Sequence, residues 1–418
     1  MRTRMNRMRA GRRALLIFCL ACLAGLGTGW GRQGAGPAKA AAGWQEAFQE
    51  GEIVISVALG GDVKEIEARY QVEVKDQLAG TTEYLVSIPP GSSVEEKLNE
   101  LAKDRDLLFS RPNFLFQHGE VRQRSQAYID QRSQAYIDGS SPTLFFGQAA
   151  WLPGRLRQAH RYADGAGVRI AVIDTGIDFS HPLFAGRIVG PYYDFVDNDG
   201  NPEEEAGGAG YGHGTFVSGL IAMAAPRAMI LPLRAFDKHG MGTSFNIAKA
   251  IRFAADRGAR VVNMSFGLLE RDPLIDDAIT YAHNRVFQVA AVGNDNASEL
   301  HFPSNQKSKV FGVASTDAAD RRASFSNFGR EVQAAAPGVG LYSAYPGGRW
   351  AVWSGTSFST ALVSAEAALV LQLRPSLNRS GISRLLSSTG VNLDPLNPGY
   401  DSMLGRRIDF LNAVQRAR

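Results

Sequence analysis

The 418-residue sequence contains only two cysteines, Cys19 and Cys22, and both lie near its amino terminus. Residues 41–418 therefore hold no cysteine and can form no disulfide, and no group of cysteines and histidines has the spacing of a zinc site. The excess of positive over negative charge is also small. The formal net charge is +4, and much of the basic excess lies in the opening stretch MRTRMNRMRAGRR. The near-balance of the remaining chain gives no basic surface for nucleic acid, so we expect no nucleic-acid partner.

The apolar run ALLIFCLACLAGLG follows this basic stretch and is short for a membrane span. A basic region, a short apolar run and then small residues are typical of a secretory signal, so we predict a signal peptide over residues 1–40 and export to the periplasm or the exterior. Arg12 and Arg13 also permit a twin-arginine signal, and Cys22 a lipoprotein. The alternative is an uncleaved N-terminus that tethers the protein to the membrane.

Residues 50–118 alternate between short strand and helix patterns. EIVISVAL, YQVEVKDQ, EYLVSIPP and LLFSRPNFLFQ favour strands, whereas DVKEIEARY and SVEEKLNELAKD favour helices. The resulting order β-α-β-β-α-β predicts a small α+β unit of the ferredoxin-like type. Taken alone, this unit indicates no chemistry.

A tandem repeat marks the next segment, residues 119–145, where RSQAYID occurs at 124–130 and again at 132–138. Two copies are too few for a repeat architecture. We therefore predict a linker, and an exposed linker is a typical site of proteolytic cleavage.

From residue 146 to 418 apolar strands alternate with helical segments. VRIAVID, AMILPLRAF, ARVVNMSF, VFQVAAVG and KVFGVAS favour buried strands, and FVSGLIAMAA and SFNIAKAIRFAADRG favour helices between them. This alternation predicts an α/β fold with a mostly parallel central sheet covered by helices on both faces. In such sheets the functional site forms at the carboxyl ends of the strands.

Four polar residues stand at these strand ends or at helix starts: Asp174, His213, Asn294 and Ser357. Each alone has a structural explanation as a turn residue or a helix cap. Together they supply an orienting acid, a general base, an oxyanion donor and a nucleophile at the amino end of a helix.

Seven blocks of the chain resemble, in this order, those of the subtilisin-like serine proteases (the subtilase family, peptidase S8): DTGIDFSHP, GHGTFVSG, VVNMSFG, VAAVGN, ASFSNFG, AAPG and SGTSFSTA. The resemblance implies a serine endopeptidase in which Ser357 is the nucleophile, His213 the general base and Asp174 the residue that orients it. Asn294 and the backbone N–H of Ser357 would form the oxyanion hole.

The same resemblance implies that residues 50–118 are an inhibitor-I9-like propeptide, which inhibits the enzyme until it is removed by self-processing between 119 and 145. We expect a monomer that acts on proteins or peptides. The implied substrate-binding residues are Ser265, Phe266, Gly267, Ala291, Val292 and Gly293 around the specificity pocket, and Gly240 and Gly242 at an edge that pairs with extended substrate. With Asp295 and His301 near the pocket, we expect a mixed preference that leans to large apolar side chains.

Three residues depart from the family pattern. Ala361 and Leu362 replace a Pro and a His that follow the nucleophile, and Phe216 replaces a second His behind His213. We interpret these as divergence within an active enzyme. The alternatives are a catalytically silent peptide-binding protein and a general esterase that uses the same residues.

The resemblance to this family also raises the question of whether the chain binds calcium. Leu183 stands where the calcium-binding branch carries an Asp, which argues against that site. The stretch YYDFVDNDGNPEEE, with Asp194, Asp197 and Asp199, offers oxygens of the kind that calcium prefers, but its spacing is not that of an EF-hand and acidic loops are usually solvated. We assign no cofactor and no metal ligand, and calcium stays open.

Overall fold

The computed structural model describes residues 47–117, 136–137 and 142–418. The predicted signal peptide and most of the predicted linker lie outside these residues. The described residues belong to one compact unit.

The N-terminal domain has the predicted β-α-β-β-α-β order. Its elements are β1 (Phe48–Val57), α1 (Val63–Tyr70), β2 (Glu73–Gln77), β3 (Glu83–Ser87), α2 (Val94–Leu101) and β4 (Leu107–Gln117). The strands form an antiparallel sheet in the order β2-β3-β1-β4. Asp62 and Ser93 cap the two helices by accepting hydrogen bonds from backbone N–H groups of the first turn, which is why each helix begins where it does.

The remaining described residues form the α/β domain. Its elements are β5 (Tyr136–Ile137), α3 (Pro142–Trp151), α4 (Leu156–Ala159), β6 (Arg169–Asp174), β7 (Tyr193–Asp194), α5 (His213–Ala224), β8 (Met229–Arg234), β9 (Met241–Thr243), α6 (Ser244–Asp256), β10 (Val261–Met264), α7 (Pro273–Ala282), β11 (Phe287–Ala291), β12 (Phe311–Thr316), β13 (Ala334–Pro337), β14 (Leu341–Tyr345), β15 (Arg349–Trp353), α8 (Thr356–Leu373), α9 (Arg379–Thr389), β16 (Val391–Asn392), β17 (Arg406–Arg407) and α10 (Phe410–Ala417). Helix α3 spans the boundary predicted at 145/146, and β5, from the second RSQAYID copy, pairs with β15.

The central sheet has nine strands in the order β16-β17-β13-β12-β11-β10-β6-β8-β7, and all its neighbours are parallel except β16 and β17. Side chains of β6 alternate between two cores. Ile170 and Val172 pack with α5, α8 and α10, whereas Ala171 and Ile173 pack with α6 and α7 on the opposite face. The prediction of a mostly parallel sheet flanked by helices on both faces is confirmed.

Helix α8 is apolar enough and long enough to cross a membrane, and it is the one such helix among the described residues. It is 89% buried within the protein, between the sheet, α5 and α10, so its composition is that of a core helix. Helix α8 also carries a buried carboxyl group, that of Glu366. Burial raises the pKa of Glu366 to about 8, and the charge of Asp409 acts in the same direction, so Glu366 is protonated at neutral pH.

This raised pKa makes the free energy of unfolding depend on pH. The carboxyl ionises at an ordinary pKa near 4.5 in the unfolded chain and at about 8 in the folded chain, so folding is progressively disfavoured as pH rises through that interval. We expect Glu366→Gln to stabilise the protein little at pH 5 and by on the order of a few kcal/mol at pH 9. Urea unfolding at both pH values measures the difference. The exposed Glu95→Gln should show no such trend, and a Glu366→Gln effect that is the same at both pH values would contradict the account.

Candidate active site

Asp174 and His213 are in direct contact at the carboxyl edge of the sheet. Asp174 is the last residue of β6 and His213 the first of α5, and both are buried. Asp174 Oδ1 accepts hydrogen bonds from His213 Nδ1 at 2.7 Å and from the backbone N–H of Thr175 at 2.8 Å. The bond at Nδ1 fixes the plane of the imidazole and places the proton on that nitrogen, so that Nε2 is the nitrogen able to accept a proton.

Two glycines allow this contact. A Cβ atom at Gly214 would lie 2.1 Å from the carbonyl oxygen of Gly176, and Gly176 itself has φ of +118°. No other residue fits at Gly214 without separating α5 from the turn after β6. The glycines of the GHG and DTG motifs therefore set the distance between the acid and the imidazole.

Aromatic rings enclose the imidazole. The ring centroids of Trp353 and Phe358 lie 5.6 and 5.5 Å from that of His213. Phe216, the predicted substitute for a second His, packs against Phe358 at 4.6 Å rather than against the imidazole itself. Sequence reasoning did not single out Trp353 or Phe358, although Phe358 adjoins the predicted nucleophile.

Ser357 lies in the first turn of α8, where the helix dipole favours negative charge. Its Oγ donates to the carbonyl oxygen of Ser265 at 3.0 Å, and Ser265 Oγ donates to the carbonyl oxygen of Ser357 at 3.0 Å. Asn263 donates in turn to Ser265 Oγ and accepts from Ser364 of α8. These buried bonds fix the start of α8 against the end of β10.

Asn294 follows β11 and is oriented by the residue before the predicted nucleophile. Its side-chain Oδ1 accepts hydrogen bonds from the N–H of Thr356 at 3.0 Å and from the hydroxyl of Thr356 at 2.8 Å. Because Oδ1 is held in this way, the side-chain nitrogen is the end that can donate to a developing oxyanion.

Asn327, a buried residue of the ASFSNFG block, holds the loop that carries Asn294. Its Oδ1 accepts from the backbone N–H groups of Asp295 and Ala297, and its Nδ2 donates to the carbonyl oxygens of Val292 and Glu299. The block was recognised from the sequence, but this role was not.

Glu204 is a further residue that sequence reasoning missed. It accepts hydrogen bonds from the backbone N–H groups of Gly212 and Thr215 at 3.0 Å each and from the hydroxyl of Thr215 at 3.1 Å. Burial raises the pKa of Glu204 to about 7, the backbone donors oppose that rise, and the charge of Asp174 adds to it. The expectation of a solvated acidic loop is therefore wrong for Glu204, which lies at the amino end of α5.

The rest of the acidic loop does not fit a calcium ion. The carboxylates of Asp194, Asp197 and Glu205 converge on the guanidinium of Arg234, with distances of 2.5, 2.6 and 2.9 Å. A metal ion there would have to displace a bound cation. Leu183 is a buried apolar residue, and no group of three potential ligands within the described ranges has the arrangement of a metal site.

The predicted pocket residues lie on neighbouring strands. Ser265–Gly267 follow β10, and Ala291–Gly293 end and follow β11, which pairs with β10 in parallel. The imidazole of His301 lies between the two segments. A Cβ atom at Gly267 would come within 2.5 Å of His301 Cβ, and one at Gly293 within 2.8 Å of His301 Nδ1. Asp295 Oδ2 lies 2.6 Å from His301 Nε2.

The predicted substrate edge is paired with the N-terminal domain. The end of β4 runs antiparallel to β9, with Leu115 opposite Thr243, Phe116 opposite Gly242 and Gln117 opposite Met241. Gly240, at φ of +75°, forms the turn before β9.

Comparison with known proteins places these features in a family. The model described as the subtilase family matches residues 165–406. Thermitase of Thermoactinomyces vulgaris is 38% identical over 239 residues, which cover 54% of this chain and 83% of thermitase. Subtilisin BL of Lederbergia lenta is 34% identical over 248 residues, which cover 57% of this chain and 88% of that protein.

Two solved structures of related proteins are also similar to this chain. Fervidolysin from Fervidobacterium pennivorans, a keratinolytic enzyme related to subtilisin, matches with a TM-score of 0.70 at 22% identity over 90% of this chain and 62% of its own. That match supports the fold. A cold adapted subtilisin-like serine proteinase matches with a TM-score of 0.52 at 33% identity over 59% of this chain and 89% of its own.

Proposed function

The chain belongs to the subtilase family and is a serine endopeptidase, and we propose that Asp174, His213 and Ser357 form its catalytic triad and that Asn294 stabilises the oxyanion. The observation that carries this proposal is the buried contact between His213 Nδ1 and Asp174, beside the start of α8, where the ring of Phe358, the residue after Ser357, lies 5.5 Å from the imidazole.

In this mechanism Ser357 Oγ attacks the carbonyl carbon of the scissile peptide bond while His213 Nε2 takes its proton. The hydroxyl must first leave the Ser265 carbonyl to which it donates in this structure. His213 then protonates the leaving amine, and water hydrolyses the acyl-enzyme by the same route. Asp174 keeps the imidazole oriented and stabilises the imidazolium.

The negative oxygen of the tetrahedral intermediate would accept hydrogen bonds from the N–H of Ser357 and from the side-chain nitrogen of Asn294. Loss of this asparagine in subtilisin lowers turnover by about 10²–10³, and we expect a similar dependence here. The Thr356 bonds that hold Asn294 Oδ1 mean that the donor is oriented before substrate binds.

We further propose that residues 50–118 are an inhibitory propeptide and that the mature enzyme is an exported monomer. The pairing of β4 with β9 supports inhibition, because it uses the edge where extended substrate would bind. Asn113 also accepts from the N–H of Phe245 at the start of α6, and Arg111 forms an ion pair with Asp272 before α7. The basic and apolar leader supports export. Self-cleavage would fall between 119 and 145.

Ser357→Ala tests the nucleophile. Residues 41–418, reacted with a fluorophosphonate probe, should gain one adduct and show a shortened intact mass, and Ser357→Ala should show neither. If Ser357→Ala still took up the probe once and matured, another residue would be the nucleophile. If no well-folded form reacted, even after removal of the propeptide, the chain would be a peptide-binding protein.

The position of His301 bears on specificity. The sequence favoured large apolar side chains, but the imidazole occupies the space between Gly267 and Gly293. We infer that the pocket takes small side chains and that His301 is the residue that limits its depth.

His301→Gly should therefore open the pocket. We expect kcat/KM for a peptide with Phe at the cleaved position to rise at least tenfold relative to the matched Ala peptide. Initial rates on two peptides that differ only at that residue measure the ratio. Asp295→Asn keeps the imidazole and removes the charge, so it should leave the ratio unchanged. An unaltered ratio in His301→Gly would show that the ring does not fill the pocket.

Glu204 should also influence turnover through its charge. It ionises at a pKa of about 7 beside Asp174 and at the amino end of the helix that begins with His213. Once ionised, it adds negative charge that stabilises the imidazolium of the transition state.

Glu204→Gln should accordingly match the wild type below pH 6, where Glu204 is protonated, and lose about three- to tenfold in kcat above pH 8. The pH profile of kcat at saturating peptide measures this. Glu205→Gln removes a charge from the same loop but at the Arg234 cluster, and its ratio to wild type should not vary with pH. A constant loss in Glu204→Gln at every pH would mean that Glu204 acts only by packing.

A further inference from the structure

A second cavity lies at the edge of the central sheet opposite the catalytic residues. It has a volume of about 870 Å³ and opens to solvent. Lys307, Arg330 and Arg406 line it at the amino ends of β12, β13 and β17, whereas Asp174 and Asn294 follow the carboxyl ends of β6 and β11. Since these strands are parallel, the cavity is remote from the proposed triad.

The lining is strongly cationic. Its charged members among the described residues are Lys307, Arg330, Arg379, Arg384 and Arg406, against one carboxylate, that of Asp394. Within the described part of the chain, none of the five cations forms an ion pair with a carboxylate. The adjacent Arg407, which does not line the cavity, pairs with Asp320 at 3.0 Å. Among the described lining residues, the five positive charges therefore face one negative charge, that of Asp394.

Neutral backbone groups hold two of the guanidinium groups in place. Arg379 donates to the carbonyl oxygens of Lys307 at 2.7 Å and Lys309 at 3.1 Å, and Arg406 donates to that of Gly390 at 2.9 Å. A guanidinium has five N–H donors, so each keeps donors for a ligand. These contacts orient the cations but do not neutralise them.

Helix α9 turns a polar face to the same cavity. Ser380, Ser383, Arg384 and Ser387 recur at helical spacing and line it, while Ile382, Leu385 and Leu386 are buried on the other side. The buried Oγ of Ser383 has no hydrogen-bond partner among the residues that the structure describes. The face thus adds hydroxyl groups to the cations, and the amino end of α9 contributes positive potential.

We propose that this cavity binds a polyvalent oxyanion of the phosphate type. Guanidinium forks match the oxygen geometry of phosphate, and several cations in one open cavity favour a ligand with more than one such group. The described lining residues include no aromatic side chain, so they offer no stacking platform for nucleic-acid bases. Binding stabilises the folded chain by mass action and relieves the repulsion among the cations.

The test uses the full chain carrying Ser357→Ala, so that no proteolysis intervenes and the result does not depend on the proposed catalytic mechanism. Tripolyphosphate and orthophosphate are titrated at constant ionic strength, with heat of binding and Tm as readouts. We expect saturable binding and a rise in Tm with both, and at least tenfold tighter binding of tripolyphosphate. The exposed Arg384→Gln should weaken that binding about tenfold, because one charge-assisted contact is lost.

Arg157→Gln removes an equal charge at an exposed position of α4 outside the cavity and should bind tripolyphosphate as the parent does. The proposal is overturned if Arg384→Gln and Arg157→Gln bind alike, if the rise in Tm grows without saturation as a general salt effect does, or if a hexaglutamate peptide binds as tightly as tripolyphosphate.

Discussion

The contact between Asp174 and His213 is the constraint on which the catalytic half of the molecule depends. A carboxylate at the end of a buried strand is costly unless it is paired, and here the imidazole and the N–H of Thr175 supply the partners. The pair forms only because α5 can press against the turn after β6, where Gly214 and Gly176 leave no side chain between the backbones. The catalytic distance is thus set by glycine backbones rather than by the reacting residues.

Two helix starts meet at this site, and each is held by buried polar bonds. At α5, Glu204 accepts from the first-turn N–H groups, and the hydroxyl of Thr175 accepts from the N–H of Gly214 while lying 3.4 Å from Asp174 Oδ1. At α8, Ser265 exchanges two hydrogen bonds with Ser357. The positive ends of both helices therefore lie beside the place where the proposed mechanism develops negative charge, and the surrounding bonds keep them from shifting apart.

The sequence predicted the fold class, and it placed Asp174, His213, Asn294 and Ser357 at strand ends and helix starts because an apolar run that stops at a polar residue is a local signal. The remaining features are not local. Glu204 lies between two other glutamates, and its contacts with Gly212 and Thr215 at the start of α5 distinguish it from them. The sequence placed His301 near the pocket, but it could not show that the imidazole lies between the segments that follow β10 and β11. Likewise, the five cations of the second cavity come from four separate elements and loops, with no run of charge to mark them.

The contacts of the N-terminal domain explain how an inhibitory segment could be both specific and removable. Within the described residues, three residue pairs join β4 to β9, and the last of them lies at Gln117, where the described part of β4 ends. Further contacts lie outside the cleft: Asn113 at the start of α6, the buried ion pair of Arg111 with Asp272, and the ion pair of Asp76 with Lys249 of α6. Because these contacts do not involve the segment after β4, we infer that cleavage there would not by itself release the domain. Removal then requires that the buried Arg111 and Asp272 separate and become solvated together, which makes release a step distinct from cleavage.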